Sequence, residues 1–251
     1  MLSTSKQQLI TSLSQKKFRD ELGLFVAEGV KIVNDLIFGG LDCEYLFLTK
    51  DLYEKNNWRA KEIFEISERE LNKISSQKTP QGAVGVFKKP DYDFSFQELN
   101  KKLSLALDEV QNPGNLGTIV RIADWFGIEQ IFCSQNSADQ FAPKTVQATM
   151  GALVRVKIFR VDIFDFLLEA RNYATLYGTF LHGSNIYKST LSPTGIIVLG
   201  NEGNGISRNI KNLIDEKLFI PSFQISSETQ PESLNVAVAA AIVCSEFRRR
   251  K

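Results

Sequence analysis

The run IIVLGNEGNGIS, Ile196 to Ser207, decides how the second half of this chain is read. Four apolar residues lead into a loop holding Gly200, Gly203 and Gly205, the pattern of a buried strand feeding a glycine-rich turn. Such a turn suggests a phosphate cradle, yet Glu202 stands in its middle, and a grip on pyrophosphate gains nothing from a negative charge there. The glycine order is not G-x-G-x-x-G near a first strand with an acid about 20 residues on, and no G-K-[ST] follows. The glycines instead let the backbone fold around a ligand that its N–H and C=O groups read without phosphate. Alternatively they serve only a strand-to-helix connection, with Asn204 and Ser207 capping the next helix.

Working outward, apolar strands with little alternation are separated by helical patterns from LSLALDEV (Leu103–Val110) to the last helix, SLNVAVAAAIVCSEFRRR. This predicts a parallel sheet covered on both faces. Upstream, GLFVAEG, EYLFLT, IFEIS and GAVGVFKK read as strands, and VKIVNDLIFGG, DLYEKNNWRAK and ERELNKISS as helices, a smaller α/β unit. Between them KKPDYDFSFQELNK is charged and carries a proline, which suits a linker. The expected organisation is residues 1–89, a linker at 90–101, and a second domain at 102–251.

Thirty basic and 29 acidic residues leave a net charge of +1, so any nucleic-acid surface must be a local patch. Lys16, Lys17 and Arg19, and Arg248 to Lys251, are the basic clusters; the second also complements a helix dipole. Cys43, Cys133 and Cys244 are far apart in apolar surroundings, which suits free thiols in a reducing compartment. With one histidine, His182, and no CxxC pair, a Cys/His zinc site is not expected; His182 reads as a structural or surface residue. No basic-then-apolar leader and no apolar run near the roughly 18 residues of a membrane span are present, so a soluble, cytoplasmic protein without a membrane partner is expected.

Two further segments stand at strand ends. In LDEVQNPGNLGTIVRIADWFG, Asn112 to Asn115 form a turn before a helix on which Arg121 follows; ligands of open parallel sheets bind at such turns. The plainer reading is a good turn and a solvated arginine. In FIPSFQISSETQPESLNVAVAAAIV, Ser233 opens a helix rich in small residues, as an N-cap or as part of a site.

Together, NPGNLGTIVRIADWFG, IVLGNEGNGIS and IPSF…ESLNVAVAAAI resemble, in order and spacing, the three motifs of the SpoU/TrmH family of RNA ribose 2′-O-methyltransferases, within the SPOUT superfamily. FVAEGVKIV and KTPQGAVGVF resemble the substrate-binding domain of many members, whose fold is similar to a ribosomal RNA-binding protein. The resemblance implies a C-terminal trefoil knot, against the general rarity of knots, a homodimer with its site near the subunit interface, S-adenosylmethionine as methyl donor without metal, and an RNA substrate. Ribosomal RNA is the expected target, with transfer RNA as the alternative; a catalytically inactive RNA-binding or ribosome-assembly factor is the competing class, and a nicotinamide dehydrogenase a third.

By family position, the backbone around Leu199, Gly200, Gly203, Ile220 and Leu234 holds the cofactor, with Phe180 to Gly183 contributing. Arg121 stands at the reacting hydroxyl as a cation rather than a base, and Asn115, Glu202, Ser233 and Asn235 position the ribose. Ala237 and Thr149 stand where the family usually has serine, departures that touch no residue assigned to catalysis.

Overall fold

The computed structural model describes residues 2–55, 58–223 and 233–249. In chain order its elements are α1 (Thr4–Ser12), α2 (Lys16–Leu22), β1 (Leu24–Glu28), α3 (Val30–Phe38), β2 (Cys43–Thr49), α4 (Lys50–Tyr53), β3 (Glu62–Ile66), α5 (Glu68–Ile74) and β4 (Ala83–Lys88). There follow β5 (Leu103–Leu107), α6 (Pro113–Trp125), β6 (Gln130–Ser134), α7 (Pro143–Thr149), β7 (Lys157–Val161) and α8 (Ile163–Ala170). The chain ends with β8 (Leu176–Asn185), β9 (Gly195–Leu199), α9 (Arg208–Lys211), β10 (Glu216–Phe219) and α10 (Val236–Arg249).

Two compact units result. The first comprises Met1–Asp91 together with Asp139–Arg155, a stretch that the sequence reading gave to the second domain. Its sheet has the order β1-β4-β2-β3, with β4 antiparallel to both neighbours and β2 parallel to β3. Ile10, Leu13, Phe47, Ile66, Leu71 and Val86 fill one side of that sheet. On α5 the sequence S-E-R-E makes a full capping box, Ser67 and Glu70 each satisfying the other's backbone N–H.

Two expectations for this unit need correction. The helix read over Asp51–Lys61 ends at Tyr53. The Leu52 carbonyl, which a continuing helix would offer to residue 56, accepts instead from Trp58 Nε1 at 3.0 Å; Asn56 and Asn57 lie outside the described residues. The basic cluster at Lys16–Arg19 is also not a free patch. Lys16 pairs with Asp20 at 2.6 Å, and Lys89 joins the same carboxylate, which together hold Asp20 down at about 2. Arg19 is buried, with Nη2 on Asp139 Oδ2 at 2.6 Å and Nη1 on the Leu13 and Ser14 carbonyls at 2.7 and 2.8 Å. This cation ties α1, α2 and residue 139 together rather than facing a polyanion.

The second unit, Tyr92–Ala138 and Val156–Lys251, holds a sheet of order β10-β8-β9-β5-β6-β7 in which every neighbouring pair is parallel. This is the covered parallel sheet that the unalternated apolar runs predict: every residue of β5, β6 and β9 is buried. One side packs Phe132, Phe159, Phe166, Leu167, Ile196 and Val198. Tyr92, Phe94 and Phe96, from the segment read as a linker, lie against that cluster, and the Phe94 ring sits 5.1 Å from both Phe132 and Phe159. On the other side Tyr177 meets Phe247 of α10 edge-on at 4.9 Å.

Arg248 donates from Nε and Nη2 to the Phe126 and Gly127 carbonyls at 2.8 and 3.0 Å, capping the end of α6. Arg249 pairs with Glu246 at 2.9 Å. Of the terminal basic cluster, therefore, both described residues are engaged in structure; Arg250 and Lys251 lie outside the described residues. Cys43, Cys133 and Cys244 are buried free thiols, and burial pushes the Cys133 thiol up to about 11. Residues 224–232, on whose path a knot would depend, lie outside the described residues.

Candidate active site at the carboxyl edge of the parallel sheet

The candidate residues gather where β5, β9 and β10 end, the edge at which open parallel sheets bind ligands. After β5, Asn112 takes the N-cap of α6, its Oδ1 accepting from the Gly114 and Asn115 backbone N–H groups at 2.8 and 3.2 Å, with Pro113 in the first turn. This places Asn115 on the first turn with its side-chain amide uncommitted to the helix.

After β9 the chain makes a tight loop. Asn201 and Gly205 exchange backbone hydrogen bonds at 3.0 and 2.9 Å, and Asn201 Oδ1 accepts from the Gly203 and Asn204 N–H groups at 2.9 and 3.0 Å. Gly200 is required by the loop itself: a Cβ there would lie 2.2 Å from the Gly205 carbonyl carbon and the Ile206 nitrogen. Gly203 is different, since among the described residues a Cβ would meet only Asn201 Oδ1 at 3.6 Å. Ser207 stands at the N-cap of α9, but its side chain makes no cap bond; its N–H is held by the buried Asp108 Oδ2 at 2.7 Å. The alternative reading, in which the Asn204 and Ser207 side chains cap α9, is not met at Ser207; the carboxylate that holds the helix start is Asp108, which carries no motif in the sequence.

The three segments meet in one hydrogen-bonded chain. Asn115 Nδ2 donates to Glu202 Oε1 at 2.8 Å, across 87 residues of sequence. Asn235 Nδ2 donates to Asn115 Oδ1 at 3.1 Å, across 120. Asn235 Oδ1 accepts from the Ala237 and Val238 N–H groups at 2.9 and 3.4 Å, so Asn235 rather than Ser233 caps α10. The capping role fixes which way the Asn235 amide points, and that orientation in turn fixes Asn115. Glu202 is exposed, with Oε2 free of partners among the described residues.

The remaining predicted residues stand around this chain. Arg121 is exposed on α6 with no hydrogen bond or ion pair among the described residues; the structure does not bring it into the cluster. Ser233 and Leu234 are exposed just before the Asn235 cap. Leu199 and Gly200 are buried at the end of β9, and Ile220 is half-buried just after β10. His182 is exposed on β8, in residues 179–183, which are extruded between the β10 pairings Gly178↔Lys217 and Ser184↔Leu218. It takes no part in the hydrogen-bonded chain.

These donors suit a cofactor without phosphate. Leu199–Ser207 carries no lysine or arginine, while Gly203 leaves room for close approach to the backbone. No group of three or more His, Cys, Asp or Glu residues placed to hold a metal occurs among the described residues, and no helix among them is long and apolar enough to cross a membrane.

A family model described as the SpoU rRNA Methylase family matches residues 102–245, and one for an MRM3-like substrate binding domain matches residues 6–85. The chain is 28% identical over 239 residues to the 23S rRNA (guanosine(2553)-2'-O)-methyltransferase RlmP of Bacillus subtilis (strain 168), covering 94% of this chain and 93% of that protein. The structure of a TrmH-family protein from Porphyromonas gingivalis matches with a TM-score of 0.90 and 39% identity over 100% of both chains. An AdoMet-bound rRNA methyltransferase from Sinorhizobium meliloti matches with a TM-score of 0.82 and 28% identity, covering 100% of this chain and 97% of that one.

Proposed function

We propose the reaction from one premise: the chain belongs to the SpoU rRNA methylase family. It transfers the methyl group of S-adenosylmethionine to a ribose 2′-hydroxyl, and its RNA is ribosomal. The observation that carries the assignment of roles is the chain Glu202–Asn115–Asn235, which joins three distant segments at one sheet edge.

S-adenosylmethionine, when bound, supplies an electrophilic methyl on a sulfonium. The backbone around Leu199, Gly200, Gly203, Ile220 and Leu234 would hold it. Because Leu199 and Gly200 are buried, main-chain groups rather than side chains do this work at β9. The acceptor hydroxyl is a weak nucleophile, so its orientation and the departure of its proton limit the rate. Glu202, braced by Asn115, offers its free Oε2 to a ribose hydroxyl, and Asn115, Asn235 and Ser233 line the approach. Arg121, a cation with no ion-pair partner among the described residues, binds the phosphate beside the target ribose and stabilises negative charge developing on the oxygen. The proton passes to that phosphate or to water.

The protein acts as a homodimer. Trp125 stands one helical turn beyond Arg121 on α6 and is 84% exposed, and Val238 of α10, which packs along α6, is 49% exposed. Asn235 meets Asn115 at the start of α6 and Arg248 meets Phe126 and Gly127 at its end, so Val238 and Trp125 mark the two ends of this helix pair; apolar side chains left in water there suit burial by a second copy, which would hold Arg121 at the interface. The first unit, matched by a substrate-binding model, engages the RNA, in the cytoplasm. Transfer of labelled methyl to ribosomal RNA tests the assignment: Arg121→Ala should keep cofactor affinity and lose transfer, and RNA binding without transfer by the wild type would leave a binding factor instead.

A further inference from the structure

We infer that Asn201, anchored to the left-handed Glu109, is the positioning residue that sets the Glu202 carboxylate for transfer; this rests on the role given to Glu202 above. Glu109 has φ 56°, a backbone region that residues with side chains seldom occupy. Three bonds keep it there. Its N–H donates to Ser134 Oγ at 2.9 Å, its Oε1 accepts from Asn136 Nδ2 at 2.8 Å, and its carbonyl accepts from Asn201 Nδ2 at 2.9 Å.

The left-handed turn at the end of the β5 segment directs that carbonyl across to the β9 loop. Asn201 then works in two directions at once. Its Nδ2 is fixed to the sheet end through Glu109, while its Oδ1 holds the Gly203 and Asn204 N–H groups on the far side of Glu202. Glu202 is therefore clamped between two tethered neighbours, and its carboxylate reaches Asn115 from a loop that cannot swing. Backbone strain of this kind persists where surrounding contacts over-determine it, and it clusters at working sites. No residue of this clamp contacts the Glu202 carboxylate, so the effect is on its placement.

The test uses Asn201→Ser, which keeps a short acceptor for the loop N–H groups but cannot reach the Glu109 carbonyl and adds no charge. Measured on the full chain, its kcat for methyl transfer should fall roughly tenfold to a hundredfold, as for an error of about 1 Å in placement, while calorimetric S-adenosylmethionine affinity stays close to wild type. Combining it with Glu202→Gln should give no further loss beyond Glu202→Gln alone, because both act through one carboxylate. Glu109→Val, which disfavours the left-handed backbone and leaves Asn201 intact, should reproduce the kcat loss, and Glu109→Gly, which accepts that backbone freely, should not.

An unchanged kcat in Asn201→Ser and Glu109→Val, equal loss of kcat and cofactor affinity, or additive losses in the double variant would overturn the inference. Glu202→Gln at full rate would instead defeat the role of Glu202 itself.

Discussion

Gly200→Ala is the sharpest perturbation of the loop. Its new Cβ would lie 2.2 Å from two backbone atoms, Gly205 C and Ile206 N. Ordinary carbon contacts begin near 3.5 Å, so one side of the loop must move by about 1.3 Å. Neither atom belongs to a flexible side chain that can step aside. Overpacking of this sort costs about 1–3 kcal/mol, and a shift near 1 Å at the reacting groups costs roughly a hundredfold in rate.

Gly203→Ala is the matched control. Its Cβ meets nothing closer than 3.6 Å among the described residues and its backbone is not left-handed, so the free protein should melt as wild type. If backbone at Gly203 approaches the cofactor, the control loses S-adenosylmethionine affinity alone. Calorimetry, thermal melting and single-turnover transfer on the two variants separate these effects. Gly200→Ala with wild-type melting and wild-type rate would refute the steric reasoning, since the loop would then have to be looser than its hydrogen bonds allow.

Further outcomes follow from other contacts. Asn235→Ala removes the α10 cap and should cost about 0.5–2 kcal/mol in denaturant titration, whereas Asn235→Asp keeps the cap, loses the donor to Asn115 and should lose transfer with little change in stability. Arg19→Ala leaves Asp139 and two carbonyls without their buried partner and should destabilise by about 3–5 kcal/mol, with the same loss read from urea midpoints at low and moderate salt. Trp125→Glu places a charge in the proposed dimer face and should sediment as a monomer; a stable dimer would move the interface elsewhere.

Much of the second unit is legible in sequence because its central strands β5, β6 and β9 are buried on both faces. Ile196–Leu199 and Leu103–Leu107 carry little alternation, and that distinguishes a covered parallel sheet from a half-solvated one. What cannot be read is partnership over distance. Pro143–Thr149 buries Thr145, Val146 and Thr149, a face on which two hydroxyls hide the burial from a hydropathy reading, and it groups with the first unit. Arg19 looks like a surface cation because Asp139, its partner, lies 120 residues away. Tyr92, Phe94 and Phe96 alternate in a stretch otherwise marked as a linker by Pro90 and charge.

The site shows the same division. Asn115, Glu202 and Asn235 stand out by motif, and the structure joins them in one hydrogen-bonded chain. Ser233 and Asn235 are both good cap residues two positions apart, so only geometry assigns the cap to Asn235. Gly200 reads as a ligand contact in sequence, and geometry adds a second need for glycine there, since its missing Cβ makes room for residues 205 and 206. Asp108, Glu109 and Asn201 carry no signal beyond an acidic pair after an apolar strand and an amide before an acid.

The most direct test of the central claim is single-turnover methyl transfer to ribosomal RNA by wild type and Glu202→Gln, with the product nucleoside identified and cofactor affinity measured on the same samples. The account predicts a ribose 2′-O-methyl nucleoside from the wild type. It predicts a fall of roughly a hundredfold or more in the variant, at an S-adenosylmethionine affinity within about threefold of wild type. Methylation of a base, or a variant that transfers at the wild-type rate, would contradict it.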